Sequence, residues 1–138
     1  MYTGMLIPLD GSKTAEKVLP HARYLAARLE TPVELLAVID IAELAAQVSP
    51  EKARFLNTII NDGERQSKEY LSKIAATFPG RGVKCTIEKG RAADAIIGRG
   101  DADTGMLIAM GTHGRSGMNR WLLGSVAEKV LRGTTNPL

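Results

Sequence analysis

Four short apolar runs alternate with four stretches of helical period. That order predicts an α/β fold: an open parallel sheet with helices on both faces, Rossmann-like in outline. Two further observations support it. Met5–Leu9, Val33–Ile39 and Met106–Met110 are apolar nearly throughout, as strands covered on both faces must be. In the remaining run Val83, Cys85 and Ile87 alternate with Lys84, Thr86 and Glu88, the pattern of a half-exposed edge strand.

Each element has its own signal. Met5-Leu6-Ile7-Pro8-Leu9 stops at the turn-forming Asp10-Gly11-Ser12, and Pro8, lacking an N–H, belongs near the strand's end. From Ser12 to Leu29 the apolar residues Ala15, Val18, Leu19, Ala22, Leu25, Ala26 and Leu29 keep helical spacing. Pro20 lies inside this stripe, so one kinked helix is expected there. After Val33–Ile39, the stretch Asp40–Val48 reads as a loop with a helical turn. Ser49-Pro50 opens a long helix, with serine as cap and proline in the first position. Its inward face is Leu56, Ile59, Ile60, Gly63, Ser67, Tyr70, Leu71, Ile74 and Phe78, and Pro79-Gly80 ends it. A short helix over Arg91–Ile97 and a last one over Ser125–Arg132 complete the order. Residues 1–138 read as a single domain.

Composition narrows the function. The 138 residues carry a net charge of +3, with Lys and Arg scattered, so neither a basic block nor an aromatic platform points to nucleic acid. No run is long and apolar enough to span a membrane. A single cysteine, Cys85, cannot form an internal disulfide, and a reduced cytoplasmic setting is the simplest expectation.

The chemistry concentrates where the fourth strand hands over to the last helix, in Met110-Gly111-Thr112-His113-Gly114-Arg115-Ser116-Gly117 and Gly124-Ser125. Glycines let a backbone approach an anion closely, and their N–H groups can form a concave nest for phosphate oxygens. Ser125 and Glu128 have the spacing of a capping box, and the N–H of Gly124 or Ser125 at a helix N-terminus is suited to phosphate. Arg115, and to a lesser degree Arg120, can screen phosphate charge. His113 lacks an evident acid or nucleophile partner and reads as a loop residue rather than a catalyst. Asp10 before Gly-Ser reads as a helix cap. Neither Gly-x-x-x-x-Gly-Lys-Ser/Thr nor an early Gly-x-Gly-x-x-Gly occurs.

The spacing Gly111-x2-Gly114-x9-Gly124-Ser125, with Pro8-Leu9-Asp10-Gly11-Ser12 and Ala37-Val38-Ile39-Asp40, resembles the ATP-binding branch of the universal stress protein family. The resemblance covers nearly the whole chain. It implies strand order 3-2-1-4-5, with a ligand crevice where the crossover direction reverses between the first and fourth strands. It implies nucleotide contacts from Pro8, Asp10, Val38, Met110, Gly111, His113, Gly114, Arg115, Gly124 and Ser125. Asp10 would lie by the nucleoside, and Val38 would meet adenine through its backbone. The expected ligand is ATP, or ADP or AMP, with or without Mg²⁺. The expected role is a nucleotide-dependent switch or interaction module in stress adaptation, acting on an unnamed protein partner. The alternatives are slow ATP hydrolysis or a dimerisation domain without nucleotide. Efficient phosphoryl transfer is not expected, because the loop has no lysine and the chain no obvious base. Family members continue after an Asn-Pro like Asn136-Pro137 with an apolar fifth strand that often helps form a dimer. Here only Leu138 follows. The fourth strand's outer edge is therefore expected to be bare, in a trimmed domain, or covered by a second protomer in a homodimer.

Overall fold

The computed structural model describes residues 1–79, 82–113 and 123–138. Its strands are β1 (Gly4–Pro8), β2 (Val33–Ile39), β3 (Lys84–Lys89) and β4 (Met106–Ile108). Its α-helices are α1 (Lys13–Glu16), α2 (Leu19–Leu29), α3 (Ile41–Gln47), α4 (Leu56–Ala75), α5 (Ala92–Asp101) and α6 (Ser125–Gly133), with a 3-10 helix at Pro50–Phe55. All described strand pairs are parallel, in the order β3-β2-β1-β4.

Strand periodicity divides the interior in two. Met5, Ile7, Leu35 and Ala37 point to one face and are buried with Ala22, Ala26, Leu71 and Phe78. Leu6, Leu36 and Ile108 point to the other and are buried with Ala93, Ile96 and Val130. Adjacent residues of β1 thus feed opposite cores, which is why its run cannot alternate with polar residues.

Several expectations are corrected. The kinked first helix is two helices, broken at Lys17-Val18, and Pro20 sits in the first turn of α2, where no N–H is required. Asp40–Val48 contains a full short helix rather than a loop with one turn. Ser49 does precede a helix with proline in its first turn, but that first stretch is 3-10 and Ser49 makes no side-chain cap. The helix from Ala92 runs on to Asp101, past Ile97. Strand β4 is also not a bare edge. Of its N–H groups facing away from β1, Met106 donates to Asp103 C=O at 3.0 Å and Ile108 to Pro137 C=O at 2.9 Å. The buried Asn136 holds that returning tail, its Nδ2 donating to the carbonyls of Gly100 and Asp103 at 2.7 and 2.9 Å.

One charge lies inside the sheet. Glu34 of β2 is 9% exposed, and its Oε1 accepts from Thr86 Oγ1 and from Arg99 Nε, both at 2.6 Å. Arg99 also reaches Glu88 at 3.6 Å, so it fastens α5 to β2 and β3. Replacing it leaves the nearly buried carboxylate with only the Thr86 hydroxyl and a Lys84 ammonium 3.9 Å away. Arg99→Leu is expected to lower unfolding free energy by about 1–3 kcal/mol, less than a fully buried pair because the guanidinium is part-exposed. Gly63 lies inside α4, where an added Cβ would meet nothing within 4 Å. Gly63→Ala is expected to raise stability by about 0.5–1 kcal/mol through helix propensity alone. Urea unfolding of the two variants measures both effects.

Candidate functional site

The carboxyl ends of β1, β2 and β4 open on one cleft of about 780 Å³. Connections leave β1 toward one face and β4 toward the other, so the crevice lies where crossover direction reverses. Pro8, Asp10, Val38, Met110, Gly111, His113, Gly124 and Ser125 all line it. The expected Gly114 and Arg115, with Arg120, lie outside the described residues.

The turn after β1 is built by short polar groups. Asp10 Oδ1 accepts the Ser12 N–H at 2.9 Å, and Gly11 takes φ +83°, a conformation glycine enters without steric cost. Ser12, not Asp10, caps α1, its Oγ accepting the Ala15 N–H at 3.1 Å. Asp10 therefore shapes the loop and places its carboxylate in the cleft wall.

The far side is drawn together by one backbone bond. Gly124 N–H donates to Thr112 C=O at 2.7 Å. A Cβ at Gly124 would stand 2.7 Å from that oxygen, so this approach excludes any side chain. Gly111 is also close-packed, with His113 C=O 3.3 Å from where its Cβ would be. Among the described glycines only Gly11 and Gly90 have positive φ, so Gly111 and Gly124 serve close approach rather than left-handed geometry.

The capping box at α6 does not form. Gly124 is the N-cap, extended at φ −61° and ψ 150°, and Ser125 is the first helical residue. Glu128 donates its N–H to Gly124 C=O at 2.8 Å, while its carboxylate pairs with Arg132 at 2.9 Å. The Gly124 N–H is thus already used. The amides of Ser125, Val126 and Ala127 have no backbone acceptor among the described residues. They sit at the positive end of the helix dipole, in residues that line the cleft, an arrangement that suits an anion. His113 lies beside them, with Nδ1 3.1 Å from Thr112 Oγ1.

Two walls hold residues that are not among the expected nucleotide contacts. Glu43, Leu44 and Gln47 of α3 form one. Their signal was Asp40-x-x-Glu43, since Asp40 Oδ1 caps α3 by accepting the Glu43 N–H at 3.0 Å. Gly63, Gln66, Ser67 and Tyr70 of α4 form the other. Gly63, Ser67 and Tyr70 belong to the inward stripe of that helix, and their small or polar character distinguishes them from its core-facing members. Burial pushes the Tyr70 phenol up to about 12, and the negative charges of Glu16 and Asp10 add to the shift. The hydroxyl is buried without a well-formed hydrogen bond. Among the described residues no three His, Cys, Asp or Glu side chains gather to hold a metal ion. No helix there is long and apolar enough to cross a membrane.

Fold and cleft together define an α/β domain with a ligand crevice at its topological switch point. The chain belongs to the universal stress protein family, which it matches over residues 1–138. It is 28% identical to universal stress protein MJ0577 of Methanocaldococcus jannaschii, covering all of this chain and 93% of that one. It is 30% identical to universal stress protein YxiE of Bacillus subtilis, over all of this chain and 97% of that one. Among solved structures, that of MJ0577 superposes with a TM-score of 0.85 at 30% identity, covering 99% of this chain and 93% of the other. A universal stress protein in complex with cAMP superposes at 0.67 and 19% identity, over 99% and 94% of the two chains, a likeness of fold.

The Tyr70 shift has a readable consequence. An acid whose folded pKa lies above its unfolded value of about 10 keeps its proton longer in the native state. Its stabilising contribution is whole below about pH 10 and lost as pH rises through about 12. Tyr70→Phe is expected to flatten the fall in stability across that window, measured by urea unfolding at successive pH values. An identical fall in both proteins would remove the buried phenol as a cause.

Proposed function

We propose that this chain binds an adenine nucleotide in the cleft and acts as a nucleotide-dependent switch or interaction module in stress adaptation. ATP is the first choice, with ADP and AMP as further ligands. The observation that carries the reading is the convergence of three unlike groups on one cleft. The α6 amides offer donors to phosphate, Asp10 offers an acceptor to ribose hydroxyls, and the β2 backbone at Val38 offers polar groups to a base edge. The close approach of Gly124 to Thr112 provides a surface that a phosphate can meet without a side chain between them. Gly114 and Arg115 belong to the same proposal by sequence. Mg²⁺ would be held chiefly by the phosphates, as this ion commonly is. That another member of this fold was solved with cAMP is compatible with the reading. We place the protein in the cytoplasm as a homodimer, which light scattering at several concentrations tests.

Competition binding distinguishes this reading from a general anion site. ATP is expected to outcompete GTP, and Asp10→Ala to weaken ATP by about tenfold, or about 1.4 kcal/mol. Tripolyphosphate binding should be unchanged. Asp10→Asn keeps an acceptor for the Ser12 N–H and so separates the carboxylate's role from the turn's. Equal competition by GTP and ATP would mean that only phosphates are read.

A further inference from the structure

Helix α2 turns to solvent a face unlike that of α4. Its buried side is Leu19, Ala22 and Ala26. On the opposite side His21, Tyr24, Leu25 and Arg28 stand at i, i+3, i+4 and i+7, and all four are exposed. Lys17, also exposed, lies one turn before His21. Lys17 and Val18 both keep right-handed helical angles, so the break between α1 and α2 leaves Lys17 in phase with this face. Tyr24 and Leu25 form its centre, 61% and 40% exposed. Lys17 and Arg28 stand at its two ends, roughly three helical turns apart.

The charge of this face has one sign. From Lys17 to Leu29 the sequence holds Lys17, His21, Arg23 and Arg28 and no Asp or Glu, although the whole chain carries 18 Lys and Arg against 15 Asp and Glu. Arg23 belongs to the fold: its Nη1 donates to Thr77 Oγ1 at 2.8 Å, and its guanidinium lies 5.8 Å from the centre of the Phe78 ring. Lys17 and Arg28 make no ion pair among the described residues. Arg28 lies over the Tyr24 ring, 5.4 Å from its centre, so the two side chains steady each other. The helix dipole favours a cation in the last turn, where Arg28 is, but it accounts for neither Lys17 nor the exposed Tyr24 and Leu25. By contrast α4 has an ordinary solvated face. There Arg65 pairs with Asp62 and Lys68 with Glu64, and no large apolar side chain is exposed.

Tyrosine and leucine flanked by unpaired cations can seat an apolar anchor while attracting an acidic surround. We propose that this face of α2 docks an acidic segment of a partner protein. An apolar side chain of the segment sits on Tyr24 and Leu25, and its carboxylates pair with Lys17 and Arg28. Charge complementarity selects the partner, and the apolar centre fixes its register. One aromatic ring is too few for the stacked bases of single-stranded nucleic acid, and two apolar side chains are too few to hold the helix in a lipid surface. A single helix face is small beside the interfaces of permanent complexes, so the contact is transient and sensitive to salt. It goes beyond nucleotide binding. None of the five residues lines the cleft, so docking does not depend on what the cleft holds.

Amide-resolved NMR titration of the full chain with a synthetic amphipathic peptide of Glu, Ala and Leu tests the assignment. Shifts should concentrate on α2, and affinity should fall as salt is raised. Lys17→Glu combined with Arg28→Glu should weaken the peptide by about tenfold or more, and should gain affinity for the same peptide with Lys in place of Glu. Tyr24→Ala should weaken it about fivefold while keeping the salt dependence, as loss of an interface anchor does. Lys129→Glu, at an exposed cation of α6 on the opposite face of the sheet, should leave binding unchanged. All the substituted side chains are exposed, and the amide spectra check that each variant keeps the fold. No shift with the peptide, or wild-type affinity in both α2 variants, would overturn the docking face. So would displacement of the peptide by ATP. Equal weakening by Lys129→Glu would mean that only net charge is read, which also overturns it. Tighter binding of oligodeoxythymidylate or of phosphatidylserine vesicles at the same residues would give the face to nucleic acid or lipid and overturn the protein partner. A chain that binds the peptide on α2 but binds no ATP supports this inference and removes the nucleotide reading alone.

Discussion

The 2.7 Å hydrogen bond from Gly124 N–H to Thr112 C=O is the constraint on which the site depends. It fastens the start of α6 to the chain just beyond β4, and so fixes the position of three helix amides that have no backbone acceptor among the described residues. The bond needs glycine at position 124, because a Cβ would collide with its own acceptor. A helix N-terminus is an anion site only if something holds it facing a cavity. Here the strand does so, and β4 is itself held by β1 on one side and by Asp103 and Pro137 carbonyls on the other.

The sheet supplies the second half of that geometry. Since β1 lies between β2 and β4, the loops after all three strands reach one rim. Two separate cores clamp the strands from opposite faces, which leaves little freedom for the rim to spread. The Glu34–Arg99 contact extends this bracing to the β3 side through α5. Its specificity is geometric: Thr86 and Arg99 both donate to one carboxylate oxygen, fixing how helix and strands align.

Much of this was legible in the residues, and the failures have physical causes. Pro8 marked the end of β1 because a missing donor cannot sit mid-sheet, and it is the strand's last residue. The mixture of apolar and polar residues over Val83–Glu88 identified the edge strand, although its exposure does not alternate: Cys85 is exposed, and Thr86 and Glu88 are partly buried beside Glu34 and Arg99. Pro20 misled because the apolar stripe stays in phase across the break, so periodicity alone could not separate a kink from two helices. Ser125 misled because local spacing fits a capping box, whereas the tertiary bond from Gly124 to Thr112 makes Gly124 the cap. The bare edge expected at β4 failed for a similar reason. Asn136 anchors a tail whose partner carbonyls lie more than thirty residues away in sequence. The polar stripe of α4 was visible, but only the fold could tell that its first half meets a cleft rather than the core.

The α3 wall bears on how such a cleft could act as a switch. This helix has no buried residue, and neither does the 3-10 helix that follows it. Its attachment therefore rests largely on the Asp40 cap and on a partly buried surface shared with the cleft. Segments with little buried apolar area open at low free-energy cost. A ligand can shift such a segment only through contacts that differ between its open and docked arrangements. Glu43, Leu44 and Gln47 are the α3 residues placed to make those contacts, since they line the cavity. The cores beneath β1 and β2 offer no comparable freedom. On the proposed reading, α3 and its neighbouring turn are, among the described residues, the cleft wall that packing leaves most able to respond to nucleotide, and a partner would read that side of the molecule.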